Sequence, residues 1–314
     1  WRWDRLLNGV EPDRPGSLPL VRPELPPAGA RYGELHLTWI GHSTLLIQLD
    51  GVNILTDPVW SRRVSPVSWL GPARHAPPGL PFDELPPIDA VLLSHDHYDH
   101  LDDPTVRRLA DRFGERIRWF TSLGYADWLA RRGIHRVTEL DWWDDAALAG
   151  PLGTLRIGAL PAQHWCRRSP ADGLSRLWAS WSILAPSGLR VYFGGDSGYF
   201  PEYGRIGAAR GPFDLMLLPI GAYEPEWFMR AAHMNPDEAV LAYRDLGATG
   251  LFVPIHWGTF RLSDEPLIAP PRRLRDAWRN AGLPPDRLAI LRHGETRVLT
   301  ARAARAARRP ADGR

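Results

Sequence analysis

Residues 94–102 constrain the fold and chemistry of this chain more than any other stretch, because three histidines and three aspartates directly follow a short apolar run. A folded interior does not tolerate so many polar groups unless they have partners. Imidazole and carboxylate groups are ligands that zinc, iron and manganese all accept. In an extended turn, His95 and His97 can face one metal ion while Asp99 and His100 face a second. The segment therefore predicts a metal centre at the end of a strand.

Three further polar residues come just after predicted strands, which is where ligands gather in open α/β sheets. They are His164 after residues 155–160, Asp196 after residues 191–195, and His256 after residues 251–255. The two glycines before Asp196 let the backbone approach closely. The predicted ligands are thus His95, His97, Asp99, His100, His164, Asp196 and His256. We expect them to hold two divalent metal ions, with zinc as the first expectation and manganese or iron as alternatives.

Hydrophobic patterning predicts one α/β domain over residues 35–300. Strands are predicted at residues 35–40, 43–49, 52–56, 90–93, 189–193, 215–219, 251–255, 288–291 and 297–300. Helices are predicted at residues 105–113, with Asp103-Pro104 as cap and first turn, and at residues 236–246 after Asn235. Residues 1–34 are a predicted N-terminal arm, and residues 301–314 a basic Ala/Arg tail that we expect to be disordered. Because the sequence begins at Trp1, we expect its start to have been trimmed.

Composition and charge argue against several classes of protein. The net charge is only +2 and no clustered basic face is evident, so we expect no nucleic-acid partner. The one cysteine, Cys166, cannot form an internal disulfide, and we expect it to be a buried, inert thiol. No apolar run is long enough for a membrane span, so we expect a cytoplasmic or membrane-peripheral protein. The serine-hydrolase motif Gly-x-Ser-x-Gly is absent, since aspartate follows the glycines at residues 194–198.

Several longer stretches carry a family resemblance. They are WIGHST at residues 39–44, LTDP at 55–58, AQHWC at 162–166, LWASW at 177–181, GPFDL at 211–215, PIGAYEP at 219–225, WFM at 227–229 and PIHWGTF at 254–260. With residues 94–102, these motifs resemble the metallo-β-lactamase superfamily and, within it, the N-acyl-phosphatidylethanolamine-hydrolysing phospholipase D family. The resemblance covers most of residues 35–300. It is weak over the N-terminal arm, over residues 105–155 and over the tail.

The resemblance implies an αβ/βα sandwich, in which two mixed β-sheets are flanked by helices. It implies that His95, His97 and His164 hold one metal, that Asp99, His100 and His256 hold the other, and that Asp196 bridges both. The implied reaction is hydrolysis of a phosphodiester by a metal-bridging hydroxide, with a small-molecule or lipid substrate similar to N-acyl-phosphatidylethanolamine.

Three residues are predicted to take part in catalysis. Asp99 does so as a ligand. Asp57, at the end of its strand, is expected to accept the outer N–H of a metal-bound histidine. His233 matches a family histidine near the substrate and is expected to contact the phosphate or protonate the leaving group. Tyr98 and Tyr223 are weaker candidates for the lining of the pocket.

Other functions remain open at this stage. The same kind of hydroxide can attack a carbonyl group, so a metal-dependent lactonase is an alternative, as is a cyclic-nucleotide phosphodiesterase. A metal-binding protein without catalysis predicts an incomplete ligand set, whereas all seven ligands are present here. Most of the 15 tryptophans are expected to pack in the core. Trp60, Trp69, Trp227 and Phe228 lie in loops that could flank the site as an apolar groove. Membrane contact and a homodimer stay open expectations.

Overall fold

Two mixed sheets organise the chain. The structure, a computed structural model, describes residues 18–26, 29–168 and 175–301. Within these ranges the first sheet has seven strands in the order β13-β1-β2-β3-β4-β5-β6, and the second has six in the order β12-β11-β10-β9-β8-β7. The first sheet contains β1 (Glu34–Gly41), β2 (Thr44–Leu49), β3 (Val52–Thr56), β4 (Ala90–Leu92), β5 (Arg118–Ser122), β6 (Val137–Leu140) and β13 (Thr296–Thr300). The second contains β7 (Asp145–Gly150), β8 (Gly153–Leu160), β9 (Ser180–Leu184), β10 (Arg190–Phe193), β11 (Leu215–Pro219) and β12 (Leu251–Ile255).

Helices connect and flank these strands. They are α1 (Asp103–Phe113), α2 (Ala126–Ala130), α3 (Glu202–Arg210), α4 (Glu226–Met229), α5 (Pro236–Asp245) and α6 (Ala269–Asn280). Strands β3 to β6 are parallel to one another, as are β10 to β12, while the remaining pairs are antiparallel. The predicted α/β fold of two mixed sheets with flanking helices is confirmed.

Strand periodicity builds two cores on opposite faces of the first sheet. In β2, Leu45 and Ile47 join a cluster that includes Ile157 and Trp181 of the second sheet. The intervening Leu46 instead joins a second cluster with residues of α1 and α2. Successive side chains of a strand point to opposite faces, so β2 serves both cores. The first sheet is therefore covered on both faces, which leaves its strand ends as the place for a site.

The structure corrects two sequence predictions. Residues 288–291 are not a strand, because Leu288 forms only an isolated bridge with Phe252. Asp103, the predicted N-cap, is instead the first residue of helix α1, and Asp102 is the N-cap residue. The Asp102 carboxylate does not cap the helix in the usual way. It accepts hydrogen bonds from the backbone N–H groups of Trp60 and Ser61 at 3.4 and 3.1 Å.

The second predicted helix has the expected start. The Asn235 side chain accepts a hydrogen bond from the backbone N–H of Glu238 at 2.9 Å, and the Glu238 carboxylate accepts one from the backbone N–H of Asn235 at 3.2 Å. This reciprocal capping box fixes where α5 begins and therefore where the residues just before it lie.

The chain ends lie mostly outside the described residues. Of the predicted arm, residues 1–17 and 27–28 fall outside them, and so do residues 302–314 of the predicted tail. In the part of the chain that the structure describes, no helix has the length and apolar character needed to span a membrane.

Candidate metal centre

The predicted ligands meet at strand ends contributed by both sheets. The first sheet supplies residues 94–102 after β4 and Asp57 after β3, and the second supplies His164 after β8, Asp196 after β10 and His256 after β12. Each of these strands ends at the same edge of the sandwich, as the sequence argument requires. The structure therefore brings all seven predicted ligands together.

Three histidines form the first cluster. Nε2 of His95 lies 2.9 Å from Nδ1 of His97, and Nε2 of His164 lies 3.2 Å from the same Nδ1 atom. Nitrogens that share a tetrahedral zinc ion are about 3.3 Å apart, given Zn–N bonds of about 2.0–2.1 Å. The spacing of the three ring nitrogens is thus close to that of a shared metal ion.

Hydrogen bonds orient two of these rings toward the cluster. Nδ1 of His164 lies 2.9 Å from the carbonyl oxygen of Ala232, which can only accept, so this nitrogen carries the proton. The Ser94 hydroxyl donates to the Asp57 carboxylate at 2.6 Å and therefore accepts from Nδ1 of His95 at 2.9 Å. In both rings the Nε2 lone pair is left for a cation.

The second cluster contains one histidine that the sequence analysis did not assign. Oδ2 of Asp99 lies 3.3 Å from Nε2 of His100 and 3.5 Å from Nε2 of His256. It also lies 2.9 Å from Nε2 of His42. His42 follows β1 just as His256 follows β12, so the rule that found the other ligands could have found it. Its signal was present in the WIGHST motif, which was used only for the resemblance.

Asp196 lies between the two clusters. Its Oδ2 atom is 3.2 Å from Nε2 of His100 and 3.0 Å from Nε2 of His256. On the other side it is 3.8 Å from Nε2 of His95 and 3.9 Å from Nε2 of His164. One carboxylate therefore faces ring nitrogens of both clusters.

Glycine is needed immediately before Asp196. Gly195 has a φ angle of +58°, and a Cβ atom there would lie 2.6 Å from Cβ of Ser94. A side chain would therefore push the end of β10 away from residues 94–102, which carry the ligands of the first sheet.

Buried atoms without partners show that a cation fits this site. Nε2 of His100, Nε2 of His256 and Oδ1 of Asp196 are buried. Oδ2 of Asp196 lies near both nitrogens, but none of the three atoms makes a hydrogen bond of normal geometry with a described residue. Burying such polar atoms costs free energy unless they form a hydrogen bond or bind a cation. Burial opposes a charge on His100, but the carboxylates of Asp196, Asp99 and Asp57 hold its pKa well above the usual value. The surplus of buried carboxylate charge calls for positive charge at this position.

The backbone is strained where it delivers three of these side chains. His42, Asp57 and His256 have φ angles of +57°, +33° and +59°, which non-glycine residues seldom adopt. The backbone N–H of His256 donates to the carbonyl oxygen of His42 at 3.1 Å, so two of the strained turns support each other. Strain of this kind gathers at functional sites.

His233 lies at the rim of the centre. Its Nδ1 atom is 3.7 Å from Oδ2 of Asp196, and its side chain is 13% exposed. The backbone N–H of His233 donates to the carbonyl oxygen of Met229 at 2.9 Å, which ties it to the end of α4. Burial lowers the pKa of His233 to about 4, although Asp196 opposes this shift.

Some predicted neighbours of the site lie elsewhere. Trp60 does not flank it, because its indole N–H donates to the carbonyl oxygen of Leu80 at 2.9 Å and its ring packs on the second core cluster. Tyr98 donates to the carbonyl oxygen of Arg168 at 2.9 Å, and it lines a cavity whose wall contains none of the seven ligands. Cys166 is buried as expected, and burial raises the pKa of its thiol to about 12.

Comparison with known proteins identifies the family. The family model described as "Beta-lactamase superfamily domain" matches residues 52–257, a range that includes all seven predicted ligands. The chain belongs to the metallo-β-lactamase superfamily. Among solved structures, a metallo hydrolase of this superfamily's fold from Ignicoccus hospitalis, Igni18, superposes with a TM-score of 0.63 at 26% identity, covering 85% of this chain and 98% of that one.

Two relatives of this chain have names that state an enzymatic activity. The N-acyl-phosphatidylethanolamine-hydrolyzing phospholipase D 1 of Caenorhabditis elegans is 42% identical over 76% of this chain and 68% of its own length. The mitochondrial enzyme of the same name from Saccharomyces cerevisiae is 32% identical over 87% of this chain and 60% of its own length. The first relative confirms the family resemblance. The protein is a metal-dependent hydrolase with a candidate His/Asp metal centre.

Proposed function

We propose that this protein hydrolyses a phosphodiester with an apolar substituent, of the kind found in N-acyl-phosphatidylethanolamine, and that it does so with two divalent cations. The observation that carries the proposal is the position of Asp196, whose Oδ2 atom faces nitrogens of both histidine clusters. A single carboxylate in that position is suited to bridging two ions. The activity named for the Caenorhabditis elegans relative supports the choice of a phosphodiester.

The proposed ligand sets follow the two clusters. His95, His97 and His164 would hold the first ion, Asp99, His100 and His256 would hold the second, and Asp196 would bridge them. Two such ions, zinc or alternatively manganese or iron, would activate a water molecule and neutralise charge on the phosphoryl group. His42 donates to Asp99 through Nε2 and so keeps that carboxylate turned toward the second ion.

His233 is proposed to act on the substrate rather than on the metals. It lies beside Asp196 but outside the two histidine clusters. From there it can hydrogen-bond a phosphoryl oxygen or pass a proton to the departing oxygen. Its lowered pKa means that the ring is neutral at pH 7, so it donates through an N–H group or relays a proton.

Exposed aromatic side chains support an apolar substrate group. Trp227 and Phe228 of α4 are 75% and 53% exposed, and the same helix holds the backbone of His233. Trp165 is 43% exposed, and its ring centroid lies 4.4 Å from that of His97. Exposed aromatics next to a polar centre suit a substrate with both apolar and charged parts. They also support peripheral contact with a lipid surface.

Hydrolysis assays test the proposal. Protein loaded with zinc, manganese or iron is incubated with bis(p-nitrophenyl) phosphate, with N-acyl-phosphatidylethanolamine in mixed micelles, with a cyclic nucleotide and with a lactone. We expect turnover of the first two substrates and loss of that turnover on chelation. Cleavage of the lactone without cleavage of either phosphodiester would overturn the proposal in favour of a lactonase. Turnover of the cyclic nucleotide alone would overturn the lipid-like substrate class.

A further inference from the structure

A large arginine-lined cavity lies behind the metal-binding loop, defined here as residues 96–102. Its volume is about 590 Å³. It opens to solvent and is lined by the loop after β3, by the segment from Tyr98 to the first turn of α1, by the end of α2 and the residues after it, and by Arg168 and Arg176. Six of the residues that line it are arginines: Arg62, Arg63, Arg131, Arg132, Arg168 and Arg176. Neither the ligand set nor the proposed reaction uses this cavity.

The acidic residues in the cavity wall are already engaged. Oδ2 of Asp102 accepts from the backbone N–H groups of Trp60 and Ser61, and also from the hydroxyl of Thr105. Asp103 pairs with Arg132, whose guanidinium also packs on the ring of Trp128. These carboxylates therefore point into the protein framework or are neutralised.

Four of the arginines lack a carboxylate counter-charge. Within the described ranges, no carboxylate oxygen lies within 4.0 Å of a side-chain nitrogen of Arg62, Arg63, Arg131 or Arg168. Arg63 donates to the carbonyl oxygen of Gly71 at 2.5 Å, which is a neutral partner. The wall of the cavity therefore carries more positive charge, from guanidinium groups, than negative charge. Such a cavity attracts anions.

Arg168 connects the cavity with the metal-binding loop. Its Nη1 atom donates to the carbonyl oxygens of Asp96 and Leu101, both at 2.7 Å. Its guanidinium carbon lies 4.1 Å from the ring centroid of Tyr98. A single side chain in the cavity wall therefore holds both ends of the loop that carries His97, Asp99 and His100.

We propose that this cavity binds a phosphate dianion, as free phosphate or as the headgroup of a phosphomonoester. A tetrahedral dianion offers several oxygens to guanidinium groups that approach from different sides, whereas a single carboxylate would satisfy fewer of them. The volume leaves room for an organic substituent on the phosphate. The bound anion contacts Arg168, the residue that also holds the metal-binding loop. This site is separate from the proposed phosphodiester reaction and stands without it.

Isothermal titration of the metal-loaded protein tests this site. The titrants are inorganic phosphate and dihexanoyl phosphatidic acid, and the cavity variant is Arg62→Gln/Arg131→Gln. The matched control is Arg205→Gln/Arg279→Gln, which removes two arginines that are 66% and 76% exposed on α3 and α6. We expect the wild-type and control proteins to bind phosphate at the cavity. We expect the affinity of the cavity variant for phosphate at this site to be lower by roughly tenfold or more.

The design separates the cavity from the metal centre, where phosphate can also bind. Phosphate binding at the metal centre persists in the cavity variant. The part of the binding that the two substitutions weaken is therefore the binding at the cavity. If both titrants show the cavity-dependent site, the ligand is a phosphomonoester headgroup. If only inorganic phosphate does, it is free phosphate. Identical isotherms for wild type and cavity variant with both titrants, while circular dichroism shows an intact fold, would overturn the proposal whatever the hydrolysis assays show.

Discussion

Oδ2 of Asp57 lies 2.6 Å from Nδ1 of His100, on the side of the imidazole ring opposite the Nε2 atom that faces Asp196. The same oxygen accepts from the Ser94 hydroxyl, which in turn accepts from Nδ1 of His95. One buried carboxylate thus sets the tautomer of one histidine in each cluster.

We expect the substitution Asp57→Asn to weaken metal binding by about 10–100-fold, because the amide cannot accept from His100 and Ser94 as the carboxylate does. Competition with a chromophoric chelator measures the affinity. The control is Asp83→Asn, since the Asp83 side chain is 91% exposed. Wild-type affinity in Asp57→Asn would show that the carboxylate does not set the ligand geometry.

Replacing Asp196 by Ala should reduce the bound metal and abolish turnover, because its carboxylate faces both clusters. Metal analysis of the dialysed protein and an assay with bis(p-nitrophenyl) phosphate measure the two effects. Full activity with two ions per chain would refute the bridging role.

His233→Gln should lower kcat by about 10²–10⁴-fold and leave the metal content unchanged, because the residue is proposed to donate to the substrate and not to bind the ions. The matched variant is His135→Gln, at an exposed histidine two residues before β6. Unchanged kcat, or a loss of metal equal to the loss of activity, would contradict the assignment.

Removal of both exposed rings of α4 tests the apolar rim. The double variant Trp227→Ala/Phe228→Ala should raise KM for N-acyl-phosphatidylethanolamine but not for bis(p-nitrophenyl) phosphate, because only the lipid has acyl chains to contact these rings. Leu241→Ala, at a 42% exposed position of α5, is the control. Equal changes for both substrates would mean that α4 acts through the position of His233 instead.

Stability should fall in acid partly through His293, which is buried against Trp39 and has its Nε2 atom 3.0 Å from the Thr259 hydroxyl. Burial lowers its pKa from 6.5 to about 4. The unfolded chain therefore binds the proton first, and stability is lost as the pH falls from about 6.5 toward 4. The full effect is roughly 3 kcal/mol.

Urea unfolding at pH 7.5 and pH 4.5 compares wild type with His293→Gln. The variant should lose less stability between the two pH values, because its side chain does not titrate. Equal losses in the two proteins would remove His293 from the acid response.

The sequence was sufficient for much of the fold and for the list of candidate ligands. Residues such as Asp196 and His256 follow strongly apolar strands, so their place at a sheet edge could be inferred from local pattern alone. His42 was missed although it obeys the same rule, because a lone histidine after a strand carries no chemistry until its neighbours are known. Its contact with Asp99 joins residues that are far apart in the chain.

Other differences arise from tertiary contacts that local pattern does not contain. The apolar residues 288–291 resemble a strand, yet Leu288 finds only one bridging partner at Phe252. Trp60 lies in a long loop, but its indole N–H donates to the carbonyl oxygen of Leu80 and its ring packs edge-on against that of Phe82, so the side chain is turned toward the core. The arginine cavity could not be foreseen either, since its residues come from four separate segments and the overall charge is only +2.

Because Asp196, His164 and His256 come from one sheet while His95, His97, Asp99 and His100 come from the other, cations bound at this edge would cross-link the two layers. Removal of the metal by a chelator should then weaken the contacts between the two sheets before either sheet unfolds. Amide hydrogens at the facing strand ends would exchange faster than those in the middle of β2, and a fragment carrying only one layer would have no complete coordination shell to offer.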